Sequence, residues 1–189
     1  MTGFVDLGKF KGVMIAGRMI VRGAWMIAVV ALALSSLAAG PARIKITSPA
    51  FQQGENIPAK FTCDGANANP PLQFQGIPAT TQSLVLIVDD PDAPGGLFTH
   101  WLVWNIDPKT NSFAEGSAPK GVQGTNDFGK TGYGAPCPPS GTHRYFFRIF
   151  ALDRALDLPA GAKRSQLDAQ MRGHIIAQGE LMGRFARNK

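Results

Sequence analysis

The chain has 189 residues, 44% of them hydrophobic and 17% charged, which is enough for one globular domain and a short accessory segment. Its 22 glycines and 14 prolines suit short strands and ordered loops and argue against a helical bundle. The formal net charge is +6, but residues 1–39 carry half of it, and the remainder has no Lys/Arg run, which excludes the electrostatic footprint of a nucleic-acid binder.

In chain order, Arg18 and Arg22 precede an uncharged apolar run over 24–34, followed by Ser35, Ser36, Ala38, Ala39 and Gly40. A basic stretch, an apolar stretch and then small residues are the parts of a secretory signal. Residues 1–39 are therefore expected to be a signal peptide cut after Ala39, and residues 40–189 one exported domain, periplasmic or secreted. The apolar run is shorter than the ~20 residues of a spanning helix, which places an uncleaved anchor second. Met14 or Met19 is an alternative start. Export implies an oxidising compartment, and Cys63 and Cys137 both lie in Gly/Pro/Asp-rich loop sequence. One disulfide is expected between them, with two free thiols as the alternative.

Residues 43–48 alternate polar and apolar and read as a half-exposed strand, and 57–62 as a short edge strand opened by Pro58. The alternation resumes over 72–75. Residues 83–88 are continuously apolar, as in a central strand covered on both faces, and 101–106 are similar. Residues 107–132 have no period and read as a long functional or surface loop. Residues 145–152 form a third core strand, interrupted by Arg148, which needs an acidic partner if buried. Ser165 stands three residues before Asp168, and Leu167, Met171, Ile175, Gln178 and Met182 fall at helical spacing. That pattern predicts one amphipathic helix over 165–182, with His174 beside its apolar stripe. The expected fold class is all-β dominated, closed by a C-terminal α-helix.

Two polar clusters punctuate these runs. Asp89, Asp90, Asp92, Pro94 and His100 stand between the first two core strands, and His143, Arg144 and Tyr145 open the third. An aspartate at the end of a buried strand needs donors, and Pro91 and Pro94 lock φ on either side of Asp92. Both histidines can donate to Asp90 from one nitrogen and face a ligand with the other, and such a partner fixes the tautomer and raises the imidazole pKa. Main-chain N–H groups of Gly132, Gly134 and Gly141 can add donors. A site of this composition takes a small oxyanion, and Asp89 and Asp92 then read as structural partners of Arg144 or Arg148. Two other chemistries stay open. Ser140, His143 and Asp90 could form a hydrolase set, although Ser140 lies in a Pro-Pro-Ser-Gly turn with no nucleophile elbow. Two histidines and an aspartate could hold a metal, which anion binding does not need. The favoured reading has no metal and no cofactor.

The segments Asp90-Pro-Asp-Ala-Pro94, Thr99-His100-Trp-Leu-Val-Trp-Asn105, Gly129-Lys-Thr-Gly-Tyr-Gly-Ala-Pro-Cys-Pro-Pro139 and Gly141-Thr-His143-Arg-Tyr145 agree in order and spacing with one family. The chain resembles the phosphatidylethanolamine-binding protein family, in its prokaryotic Raf-kinase-inhibitor-like branch, from about residue 44 to about residue 184. The resemblance implies a β-sandwich of a large and a small antiparallel sheet, with Greek-key connections and helical structure near the C-terminus. It also implies a non-enzymatic binding or modulator protein with a surface pocket for a phospholipid head group, phosphate or phosphorylated ligand. Carried over residue by residue, Asp90, Pro94, His100, His143 and Tyr145 match the pocket motif, with Pro138 or Pro139 in its wall and Tyr133 and Cys137 near its rim. Some relatives inhibit a kinase or a serine protease, and for an exported chain a cytosolic kinase is a poor partner. A homodimer is kept among the expected assemblies. Eukaryotic members extend a C-terminal segment over the pocket, and how it is covered here is left open.

Overall fold

The computed structural model describes residues 42–187, so the signal peptide expected over 1–39 lies outside the described residues. The strands are β1 (Ala42–Arg43), β2 (Lys45–Thr47), β3 (Leu72–Gln75), β4 (Ser83–Asp90), β5 (Phe98–Ile106), β6 (Ser112–Phe113), β7 (Val122–Gln123), β8 (Thr142–Leu152) and β9 (Ile175–Ala186). One helix, α1 (Arg164–Met171), precedes β9.

The strands form a six-stranded sheet in the order β1-β9-β8-β4-β5-β7 and a three-stranded sheet in the order β2-β3-β6. All pairings are antiparallel except that of β1 with β9. Within the large sheet, β8 returns after a long connection to lie beside β4, which is the Greek-key order. The expected sandwich is therefore the observed one.

Every residue of β4 is buried, because the strand has a core on each face. Leu84, Leu86 and Val88 point towards the small sheet, in one cluster with Ile46, Phe74, Phe113 and Phe147. Val85 and Ile87 point the other way, against Leu102, Trp104, Leu167 and Met171. Alternation along a strand makes this division automatic.

Three expected elements differ. Residues 43–48 are not one strand: the chain changes sheets at Ile44, so Ala42 and Arg43 pair with β9 while Lys45–Thr47 pair with β3. The segment at 57–62 holds a 3-10 turn, Ala59–Phe61, rather than an edge strand. The helix predicted over 165–182 stops at Met171, and residues 175–186 are a strand. Its end is set by Gly173 at φ 82°, the left-handed cap that glycine adopts without a Cβ penalty, with His174 N–H donating to Met171 O. Beyond it, Ala177, Leu181, Gly183 and Phe185 turn inward while Gln178, Glu180 and Arg184 turn outward. The helix also starts differently: Lys163 is its N-cap, and Gln166 Oε1 accepts from Lys163 N at 3.0 Å.

Candidate functional site

Strand alternation carries Asp90 onto the same face of β4 as Val88, and Asp89 onto the opposite one. On β8, His143 and Tyr145 share the face of Phe147 and Ile149. His100 joins them through an irregularity in β5. Val88 pairs with Trp101, but the next residue, Asp89, pairs with Thr99, so His100 is the extra residue of a β-bulge. A bulge re-aims a side chain that strict alternation would send elsewhere. The His100 ring lies edge-on to that of Tyr145, with centroids 5.2 Å apart.

The bulge removes His100 from the ladder, and the loop following β7 supplies the missing partner. Gly134 N donates to His100 O at 2.9 Å, and the His100 ring Nδ1 donates to Gly134 O at 2.7 Å. Buried Asn126 shapes that loop: its Oδ1 accepts from Phe128 N and Lys130 N, both at 3.1 Å, and its Nδ2 donates to Gly132 O at 3.0 Å. Glycine at residue 134 leaves room for the Phe128 ring, since a Cβ there would lie 2.5 Å from it and force the ring to shift. Phe98 and Phe128 close around His100 at 5.2 and 5.3 Å, and Phe128 and Leu97 remain exposed.

His143 Nδ1 lies 2.7 Å from Asp90 Oδ2, with only 7% and 4% of the two side chains exposed. The other Asp90 oxygen accepts from Asp92 N at 2.8 Å. Tyr145 sits between the histidines, nearly stacked on His143 at 6.5 Å, and is fully buried with no hydrogen-bond partner for its hydroxyl among the described residues. Burial first, then the nearby Asp90 charge, push the phenol pKa above its ordinary value. For His100, burial is the dominant influence and holds the ring below its ordinary pKa, against the opposing pull of Gly134 O and Asp90. His143 opens onto a cleft of about 630 Å³ whose lining includes Asp92, Ser140, Thr142, Arg144 and Arg184.

The opposite face of the strand carries an ion-pair network. Asp89, with no exposed surface, accepts from Arg148 Nη1 at 3.0 Å and from Arg164 Nη1 at 2.5 Å, and so clamps α1 to the sheet. Those arginines also hold Glu180 and Asp168. A larger depression of about 910 Å³ lies over them, lined by the paired Arg148 and Arg164 and also by Arg43, with no histidine in its lining. Arg144 grips Asp92 through Nε at 2.9 Å and Nη2 at 2.6 Å, which lowers the Asp92 pKa to about 2. Asp89 and Asp92 are thus the arginine partners expected of them.

Of the residues singled out, the structure brings together Asp90, His100, His143 and Tyr145. Pro94 is exposed on the turn after β4, Pro138 is buried and Pro139 exposed ahead of β8; the cleft is lined by His143 but by none of these prolines, nor by Asp90, His100 or Tyr145. Cys63 and Cys137 form the expected disulfide. Beside it Cys63 N donates to Pro136 O at 3.0 Å and Tyr133 Oη to Phe61 O at 3.0 Å. Three expectations are corrected. His100 donates to Gly134 O and not to Asp90, its pKa is lowered rather than raised, and the Gly134 N–H is committed to His100 O and unavailable to a ligand. Among the described residues no hydrogen bond joins Ser140 to His143, and no group of three side chains is arranged to hold a metal. Sequence reasoning missed Asn126, Phe128 and Arg164. Only the spacing of Asn126, Gly132 and Gly134 in a loop without periodicity pointed at the first.

Residues 47–186 match the family model described as phosphatidylethanolamine-binding protein. A UPF0098 protein of Pyrococcus horikoshii is 45% identical, over 84% of this chain and 85% of its own length. Among solved structures, a phosphatidylethanolamine-binding protein homolog from Chlamydia trachomatis superposes with a TM-score of 0.75 at 44% identity, covering 77% of this chain and 99% of that one. Escherichia coli YbcL, described as a new member of the mammalian family, superposes with a TM-score of 0.72 at 30% identity, covering 78% of this chain and 100% of that one.

Proposed function

The chain belongs to the phosphatidylethanolamine-binding protein family, and from that premise we propose that it is a non-enzymatic binding protein whose site takes a small oxyanion, either free phosphate or the phosphoryl group of a larger ligand. The observation that carries this reading is the buried Asp90–His143 pair in the wall of a cleft that also presents Arg144 and Arg184. A carboxylate on Nδ1 orients the ring and stabilises its cation, which leaves Nε2 for a ligand.

Calorimetric titration with inorganic phosphate and O-phosphoethanolamine tests this. His143→Ala is expected to weaken binding by roughly tenfold or more, the worth of one charge-assisted hydrogen bond, with the far-ultraviolet spectrum unchanged. Undiminished binding by a His100→Ala/His143→Ala double variant would overturn the assignment.

A hydrolase is the second reading, because Ser140 lines the cleft of the Asp90-oriented histidine. Stoichiometric labelling of Ser140 by a fluorophosphonate would establish it; intact protein after prolonged exposure is the expected result. Export and a protein target, such as a kinase or serine protease, belong to the proposal as well. The disulfide supports export, since such bonds persist in oxidising compartments.

A further inference from the structure

The two arginines of the cleft are held differently. Arg144 on β8 and Arg184 on β9 stand directly opposite each other, and both are exposed. Arg184 N donates to Glu55 O at 2.8 Å, and Arg184 O accepts from Ile57 N at 2.7 Å. With both main-chain groups of Arg184 turned away from β8, its pair with Arg144 is the non-hydrogen-bonded kind, in which side chains come closest. Two like charges so placed repel each other unless something offsets them.

Arg144 has its offset. Its Nε and Nη2 grip Asp92, and its main-chain N donates to the same carboxylate at 2.9 Å, so only Nη1 is left over. Arg184 has none. Its guanidinium makes no ion pair or hydrogen bond among the described residues, yet it lines the cleft together with His143 and the hydroxyl-bearing Ser140 and Thr142. One arginine of the cleft is thus cancelled by a neighbour and the other is not.

Building on the anion-site reading above, we propose that Arg184 is the specificity-determining residue of the cleft, taking the charge of the ligand from β9 while His143 meets it from β8, and that Arg144 is a positioning residue that acts only through Asp92. A guanidinium binds an oxyanion best through two parallel N–H···O bonds, and Arg184 has its whole fork free for them. Asp92 lines the same cleft, and with a pKa of about 2 it is charged across the neutral range. Left bare it would repel an anion, and the service of Arg144 is to cancel it.

Calorimetric titration of inorganic phosphate into four variants separates the two roles. Arg184→Gln is expected to weaken binding by roughly tenfold or more, and Arg184→Lys by less, since lysine keeps the charge and loses the fork. Arg144→Gln also weakens binding, because it uncovers Asp92. The rescue is what a merely structural role would not produce: Arg144→Gln/Asp92→Asn removes cation and anion together and is expected to return to within about threefold of the wild type. Urea midpoints of all four should stay near the wild-type value, because both arginines are exposed. A double variant as weak as Arg184→Gln would overturn the inference, since Arg144 would then hold the ligand itself. Wild-type affinity in Arg184→Gln would overturn it as well, and in both cases a wild-type protein that binds phosphate leaves the anion site standing. Failure of the wild type to bind phosphate would remove the anion site, and the inference with it.

Discussion

At the scale of single residues, the pocket carries a pH signature separate from any ligand. The folded-state pKa of His100 is lowered by burial, so between that value and the ordinary one near 6.5 the unfolded chain binds the proton and the folded chain does not. Stability from this group is complete above about pH 6.5 and falls as the pH drops through the interval below it. Urea midpoints at about pH 7.5, 6.5 and 5.5 should decline in the wild type and flatten in His100→Gln. An equally steep decline in the variant would assign the slope to another group. Asp92 contributes in a different window: its pKa is depressed to about 2 by Arg144, so its stabilisation is present above the ordinary carboxylate value and disappears only in stronger acid. The two effects therefore separate on one pH series, with Asp92→Asn altering only the acid end.

At the scale of elements, the strands with a core on both faces were the legible ones, because residues 83–88 and 101–106 leave no polar period for a helix to use. The helix predicted over 165–182 failed for a local reason. Ile175, Gln178 and Met182 fit helical spacing and strand alternation about equally well, and one glycine, Gly173, decided between them. The acids and histidines of the site could be read directly, but not how His100 reaches them, since the bulge between Val88 and Asp89 has no glycine or proline to announce it. Gly134 was visible only as a donor to a ligand, whereas its role is to admit the Phe128 ring and hold His100. Gly134→Ala is accordingly expected to cost about 1–3 kcal/mol by overpacking, and to weaken phosphate binding through the displaced His100. The clamp on the other face answers to a different substitution. Asp89→Ala leaves Arg148 and Arg164 with Glu180 and Asp168 but without their buried acceptor, and is expected to cost about 1–3 kcal/mol in urea unfolding, the range for losing hydrogen bonds to a charged group. Phosphate affinity measured on the folded variant should stay near wild type, because Asp89 faces away from the site. A loss of affinity as large as that of His143→Ala would mean that the two faces of β4 are coupled.

At the scale of the whole molecule, the Greek-key return sets three neighbouring strands side by side, and each contributes to one side-chain cluster: β4 gives Asp90, β5 gives His100, and β8 gives His143 and Tyr145. No two of these strands can separate without opening the site, so its integrity depends on the sheet as a unit. The Cys63–Cys137 disulfide acts at this scale. Its sequence separation of 74 residues spans β3 to β7, and a closed loop of that length is worth about 4 kcal/mol in the chain-entropy model. Against the roughly 5–15 kcal/mol that hold a typical domain together, that is a large share. Its local effect on the pocket is smaller, because the two loops it joins are also held by Cys63 N to Pro136 O, Tyr133 Oη to Phe61 O, and Ala135 N to Asn67 Oδ1 at 2.9 Å. These bonds position the segment that carries Gly134, the acceptor for His100. A Cys63→Ser/Cys137→Ser variant is therefore expected to lose about 4 kcal/mol in denaturant unfolding, while its phosphate affinity falls by less than about tenfold under conditions where it is folded. The opposite pattern, an unchanged unfolding midpoint with affinity abolished, would show that the bridge serves the pocket wall and not the stability of the sandwich.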